Sequence, residues 1–417
     1  MSSQHVAYDF GRPIDRRHDT YSYSQKWSCA ESLAKRLGVK EITDNHIALF
    51  TADMDLRCAQ PILDALHATV DHGIFGYSTL DGCSAYTDAI RGWSQICRQL
   101  YIWDVDCDLM SLSAGTVKAL DVCVQAFTKP GDGIIIQRPV YPPFMHVVED
   151  NDRMILNNQR IRHTAKDPEG DLYYSIDFDN LEELAARPEA KMFILCNPHN
   201  PVGRVWSVEE LERMAQICMK HDVLIVADEI HGDLVCEGIT MHHMAQVAPE
   251  ARVITCTAVN KTFNLAGLAA TNVFFSNAQD KACFEKIRGF VEPNPFAISA
   301  VIAAYNEGDD WYEQVKAYIE ANFNTVIAYF ADHLPDVGVR RPEGTYILWF
   351  DFEARCRKLG IDGAELHRRI YDDAQVLLQD GSNFDPDGGE FFQRMCVPTP
   401  RTMLLDACER IARVLAE

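Results

Sequence analysis

Nowhere in these 417 residues do about 18 apolar side chains run together, so no membrane-spanning helix is expected. The opening MSSQHVAYDFGRP has neither a basic cluster nor an apolar stretch; no secretory signal is read there, and the expected location is cytoplasmic. Basic charge is scarce. Against 61 Asp and Glu stand 39 Lys and Arg, and the formal charge of -22 repels polyphosphate backbones, which leaves no electrostatic support for binding nucleic acid. Paired cysteine motifs are missing as well. The 14 cysteines are scattered singly with no CxxC, so Cys123, Cys218 and Cys256 read as reduced core residues and not as a disulfide frame or a metal site. Internal repeats, low-complexity tracts and Pro/Gly-rich linkers are also lacking.

What is present is an ordinary globular composition, 47% apolar and 24% charged, over a length that suggests two domains. Residues 61–305 alternate short β-branched runs (GDGIIIQ, KMFILCN, DVLIVAD, ARVITCT, TNVFFS) with amphipathic stretches, the pattern of βαβ units and a parallel sheet. In one of those stretches Ser207 and Glu210 form a capping-box signal. Residues 306–417 change character: a long helical pattern, the strands TYILWFDF and FFQRMCV, then further helices, as in a smaller α+β domain. Residues 1–60 show no strong sheet pattern and read as an arm that packs on this domain or on a partner subunit.

Three polar residues follow successive apolar runs at intervals of about 30 residues, one βαβ unit each. Asn197 opens the turn NPHNPVGR, where the two prolines that follow it can hold its amide towards a ligand or simply make a turn into a helix. Asp228 ends VLIVAD, ahead of Glu229 and His231; it could orient a base, bind metal, pair with a cationic ring nitrogen or cap a helix. Lys261, in TAVNKTFNLAGL, can reach the same sheet edge, where desolvation would bring its amine towards nucleophilic range. An amine, a carboxylate and an amide at one edge suit pyridoxal phosphate, which needs a lysine for its aldehyde and an acid for its ring nitrogen. Upstream, Ala114, Gly115 and Thr116 open a helix whose free N–H groups favour a phosphate. Tyr141, in RPVYPPF, is placed to stack on a ring or to pack in the core.

The segments DRRHDTYSYSQKW, FTADMD, FGYS, PVYPPF, CNPHNPVGRVW, DEIHGDL, KTFNLAGL, EGTYILWFDF and FFQRMCVPTPR together resemble the fold-type-I aminotransferases, in particular the branch of MalY/PatB-like cystathionine β-lyases, or C–S lyases. The resemblance implies a seven-stranded, mostly parallel sheet in the large domain. It also implies a cofactor carried on Lys261 as the acid/base, with Asp228 on the pyridine nitrogen and Asn197 and His231 at the phenolic oxygen. Tyr141 stacks on the ring, and Ala114, Gly115, Thr116 and Asn260 lie on the cofactor. Arg394 grips the substrate carboxylate, with Asp53 and Tyr346 nearby. Tyr77, from FGYS, is implied to reach the phosphate of the other subunit in a homodimer. Val259-Asn260 stands where the branch usually has Pro-Ser, Phe384-Asp385 replaces Phe-Gly, and Cys396 replaces an Asn.

The expected reaction is loss of a thiol from the β-carbon of an S-substituted cysteine. The same cofactor contacts would also serve an aminotransferase acting on an amino acid, and a purely regulatory protein is the third possibility. No metal is expected: His242-His243 and the DPDGG loop at 385–389 lack a ligand series and read as surface features.

Overall fold

The computed structural model describes residues 7–416 except 18–22, 29, 81, 97–102, 165, 166, 169 and 292. Part of the DRRHDTYSYSQKW motif, His18 to Ser22, therefore lies outside the described residues.

Seven strands form the main sheet: β1 (Met110–Ser113), β2 (Gly133–Ile136), β3 (Met154–Asn157), β4 (Ala190–Cys196), β5 (Leu224–Asp228), β6 (Val253–Thr257) and β7 (Thr271–Phe275). Their order across the sheet is β1-β7-β6-β5-β4-β2-β3. Only β7 runs against the others, pairing antiparallel with both β1 and β6, while the remaining neighbours are parallel. The five apolar runs each form one strand. The two strands not anticipated, β1 and β3, are the sheet's edges; neither carries a β-branched run that would stand out in the sequence.

The central strands are apolar throughout because both faces are covered. Met192, Ile194, Leu224 and Val226 enter one core with helix Thr116–Phe127, and the alternate residues Phe193, Leu195, Ile225 and Ala227 enter the other with helix Val208–Lys220. This period of two is the pleat of a parallel sheet buried on both sides. The Val208–Lys220 helix starts at the full capping box of Ser207 and Glu210. Truncating a fully buried side chain such as Phe193 should cost about 3–5 kcal/mol.

Continuing the alternation, Asp228 shares its face with Leu224 and Val226, the face that carries helix Thr116–Phe127 and Tyr141. Sequence alternation thus decides that the carboxylate and the helix start at Gly115 lie on one side of the sheet.

A second, antiparallel sheet is made by Gly338–Val339, Ile347–Asp351, Phe392–Cys396 and Gln379–Asp380. Helices Asp309–His333 and Arg401–Val414 pack on it through Phe323, Val326, Phe330, Leu404 and Ile411. The N-terminal arm joins this part by parallel pairing of Ile47–Ala48 with Val376–Leu377. One continuous core then runs from Phe10 and Leu49 through Phe263 and Trp311 to Tyr346. Among the described residues no helix is long and apolar enough to cross a membrane.

Candidate active site

Strand ends deliver the polar groups. Cys196 and Asp228 are in register on neighbouring strands, and Asp228 is in register with Cys256 on the next. Beyond β6 the chain makes one short turn of helix, Val259–Thr262, which returns Lys261 to the same edge. Burial pushes the Asp228 carboxyl up to about 7, partly opposed by the Ile230 N–H and by Lys261. Burial likewise lowers the Lys261 amine from its ordinary range; Arg394 adds to that, while Asp53 and Asp228 pull the other way. Lys261 Nζ donates to the Ala52 carbonyl at 2.7 Å, and the Tyr346 hydroxyl donates to the same oxygen at 2.7 Å.

Arg394 comes from the second sheet and is buried; its Nη1 donates to Asn200 Oδ1 at 3.2 Å and its Nη2 to the Phe50 carbonyl at 2.5 Å. His231 is buried edge-on to Tyr346, with ring centroids 5.5 Å apart, and burial next to Lys261 and Arg394 keeps its imidazole neutral. Tyr141 packs beside Phe144 on the Asp228 face, and its hydroxyl feels both Arg394 and Asp228. Three buried polar atoms in this region have no hydrogen-bond partner: His231 Nδ1, Asn260 Oδ1 and Arg394 Nε. Such atoms are costly unless a ligand satisfies them.

At the helix start Gly115 has φ +109°, a conformation that side chains resist, and a Cβ built there would meet nothing within 4 Å. The first turn of Thr116–Phe127, which follows Gly115 and exposed Ala114, carries the free N–H groups that favour an anion. The Thr116 hydroxyl itself is taken up by Thr271 Oγ1 at 3.1 Å.

Several sequence expectations need correction. Asn197 is wholly buried and its amide is anchored to the backbone at both ends, with one Nδ2–H donated to the His242 carbonyl at 2.9 Å and Oδ1 accepting from the Trp206 N–H at 3.2 Å. The amide that meets Arg394 is Asn200, from the same NPHNPVGR turn. Gly203 closes that turn against Pro342, where a Cβ would lie 2.4 Å from the proline ring. Asp53 is not a free carboxylate, because Arg16 binds it at 2.8 Å and Lys26 approaches at 3.4 Å. The same two cations hold Asp55 at 2.7 and 2.6 Å, together with the Trp27 indole. These arm residues, and the carbonyls of Phe50 and Ala52, escaped sequence reading. His243 and Asp385 are buried, not surface features: His243 rests on the Glu229 carboxylate and Asp385 accepts from Gln159 at 2.8 Å. No metal-binding group of three His, Cys, Asp or Glu occurs among the described residues, and the twelve described cysteines are unpaired.

Tyr77 stands on the surface, 94% exposed. Ile74 and Phe290 are also largely exposed, and Phe75 is half exposed with its ring stacked on Phe296 at 5.4 Å.

An α/β sheet of this order, with a lysine, a buried acid and an arginine gathered at its edge, defines a class of enzymes that handle amino groups. The chain belongs to the aminotransferase class I and II family, whose model matches residues 48–411. It is 39% identical to the cystathionine beta-lyase PatB of Bacillus subtilis (strain 168) over 97% of this chain and 100% of that protein. Among solved structures it is similar to the PLP-bound putative aminotransferase of Clostridium difficile 630, with 33% identity, a TM-score of 0.88 and coverage of 98% and 100%. It is also similar to the PLP-bound C-S lyase of Staphylococcus hominis, with 28% identity, a TM-score of 0.89 and coverage of 99% of both chains.

Proposed function

We propose that this protein is a pyridoxal-phosphate-dependent C–S β-lyase that converts an S-substituted L-cysteine and water into a thiol, pyruvate and ammonium. The observation that carries this reading is the convergence of Lys261, Asp228 and Arg394 around three buried polar atoms that lack partners. Cofactor and substrate would offer acceptors to two of them, a phenolic oxygen to the His231 ring N–H and a carboxylate to the Arg394 guanidinium, and a phosphate to the N–H groups at the Gly115 helix start.

Lys261 would hold the cofactor, and its amine, lowered from its ordinary range by burial, would move the proton at Cα. When bound, the cofactor supplies an aldehyde for the amine and a cationic ring that accepts electrons. Asp228 would hold the ring nitrogen in its protonated form, and that positive charge would favour the carboxylate over the neutral acid that burial alone selects. Tyr141 lies on the face of the sheet where a ring would stack. Asn200, held by Arg394, is the amide we assign to the ring oxygen or substrate carboxylate in place of Asn197. His231 and Asn260 supply neighbouring polar contacts, and backbone N–H groups of Ala114, Gly115 and Thr116 take the phosphate. Arg394 grips the α-carboxylate as a two-pronged donor. Tyr346 and Asp53 border the substrate, Asp53 as part of its ion cluster.

In this reading residues 61–305 carry the cofactor, residues 306–417 supply Arg394, and the arm of residues 1–60 closes the site. Tyr77 completes the site of a second subunit in a cytoplasmic homodimer. The test is to load the purified protein with pyridoxal phosphate and offer cystathionine, cystine and S-alkyl cysteines. Pyruvate and thiol should appear in equal amounts, and Lys261→Ala should lose both the visible absorbance band and turnover. A keto acid that retains the sulfur, with no thiol released, would instead identify an aminotransferase.

A further inference from the structure

Phe50 to Asp55 form a strap over the site whose carbonyls at alternate positions meet three different elements. Phe50 O receives Arg394, Ala52 O receives Lys261 and Tyr346, and Met54 O receives Asn264 Nδ2 at 2.9 Å and, more weakly, Arg16 Nη1 at 3.2 Å. The last contact is half of a pair, because Met54 N–H also donates to Asn264 Oδ1 at 2.9 Å. One side-chain amide thus satisfies both backbone groups of a single residue, as a neighbouring β-strand would. Asn264 holds φ +57°, a left-handed conformation that asparagine tolerates far better than most side chains. Lys261 and Asn264 sit three residues apart on one loop, and their targets, Ala52 and Met54, sit two residues apart on the strap.

We propose that Asn264 is a positioning residue for Lys261: its paired bonds to Met54 fix the loop and the strap to each other, and so set where the lysine amine rests when it is not bonded to the cofactor. This rests on the reading of Lys261 as the cofactor lysine. The Ala52 carbonyl serves as the resting acceptor, and the Tyr346 hydroxyl keeps that carbonyl satisfied whenever the amine leaves it. Asn264 contributes no atom to the chemistry. The far end of the strap is secured independently, since Asp55 is bound by Arg16, Lys26 and Trp27 and its N–H by the Pro398 carbonyl. Arg16 stays on the Met54 carbonyl and on Asp53, so loss of the Asn264 bonds frees the Met54 N–H and uncouples the Lys261 loop from the strap without detaching the strap itself.

The test uses Asn264→Gly, which keeps the backbone conformation and removes both bonds, and Asn264→Asp, which keeps the acceptor and loses the donor. The rate at which the holoenzyme's visible absorbance responds to glycine measures displacement of the lysine amine and needs no β-leaving group. We expect that rate to fall about tenfold or more in Asn264→Gly and by an intermediate factor in Asn264→Asp, in line with the one to two hydrogen bonds removed. In the cofactor-free protein, the Phe50–Asp55 amides should exchange with deuterium about tenfold faster in Asn264→Gly. Asn277→Ala, which removes a helix cap remote from the strap, controls for lost stability and should leave both rates within twofold of the parent. If Asn264→Gly lowers the thermal midpoint but leaves both rates within twofold, the amide is only a structural stitch and the proposal is overturned. Should the parent holoenzyme give no response to glycine, the cofactor reading fails, and the exchange measurement still decides whether Asn264 couples loop to strap.

Discussion

Arg394 and Asn200 stand 194 residues apart in the chain and meet in a buried hydrogen bond of 3.2 Å between Nη1 and Oδ1. Asn197, three residues upstream, instead ties its amide to the His242 carbonyl and the Trp206 N–H. The two asparagines should therefore fail differently. Asn200→Ala should fold almost normally and lower kcat/KM roughly 10- to 100-fold, because it frees the guanidinium from its proper orientation. Asn197→Ala should leave two buried backbone groups unsatisfied and cost on the order of 1–3 kcal/mol of stability. Urea unfolding and steady-state kinetics on both variants check this; equal kinetic losses with no difference in stability would contradict it.

Asp228 links pH to stability in the cofactor-free protein. Its carboxyl titrates near 3.9 in the unfolded chain and at about 7 when folded. The protonated acid thus favours folding: the contribution is complete below about pH 4 and is lost as pH rises through 7, on the order of 4 kcal/mol in all. Asp228→Asn cannot titrate, so its stability relative to the parent should improve by roughly 2–3 kcal/mol between pH 5 and pH 8. Bound cofactor should reverse the ranking, since the ring nitrogen then pairs with the carboxylate. Urea titrations at the two pH values, with and without pyridoxal phosphate, measure it; a parent-to-variant difference that stays flat with pH would count against burial as the cause.

The placement of these residues was only partly legible in the sequence. Asp228 and Lys261 were legible because each follows a β-branched run that can only be a buried strand, and a polar residue at such a strand's end faces ligands. Asn197 and Asn200 could not be told apart, since each directly precedes a proline and the difference between them lies in which one meets Arg394, a contact across 194 residues. The strap was illegible for another reason. Phe50 and Ala52 act through main-chain carbonyls, which every residue carries, so no pattern of residue types marks them. Asp53 looked like a substrate ligand because its partners Arg16 and Lys26 lie in an arm with no sheet pattern.

The cluster of Arg16, Lys26, Asp53 and Asp55 sums to zero charge, and its inner pair, Lys26 and Asp55, is almost completely buried. Such a pair tolerates the loss of one member poorly, because the other charge stays in a dry site. Lys26→Met should cost about 3–5 kcal/mol, whereas breaking the exposed Arg91–Asp88 pair should cost less than about 1 kcal/mol. Replacing both inner charges, in Lys26→Met with Asp55→Leu, should recover part of the loss. Chemical denaturation of the three variants decides the matter, and a cost for Lys26→Met as small as the surface pair's would show that water reaches the cluster.

Tyr77, Ile74 and Phe290 are large apolar side chains left mostly exposed, and exposed apolar groups of this size suit an interface with another protein. Phe290 lines the same surface cavity as Ser78, Thr79 and Leu80, the residues that follow Tyr77 in the chain. If a second copy covers that face and Tyr77 reaches the partner's phosphate, then Tyr77→Ala and Lys261→Ala should each be nearly inactive alone. Their mixture, unfolded and refolded together, should recover about a quarter of the parent's activity, because half the dimers are mixed and each mixed dimer holds one intact site. Were Tyr77 to act within its own chain, every site in a mixed dimer would carry one defect and nothing would be regained. Phe290→Glu should shift the protein towards monomer in sedimentation and lower activity with it. A dimer that persists in that variant, together with no recovery on mixing, would rule out this face as the shared one.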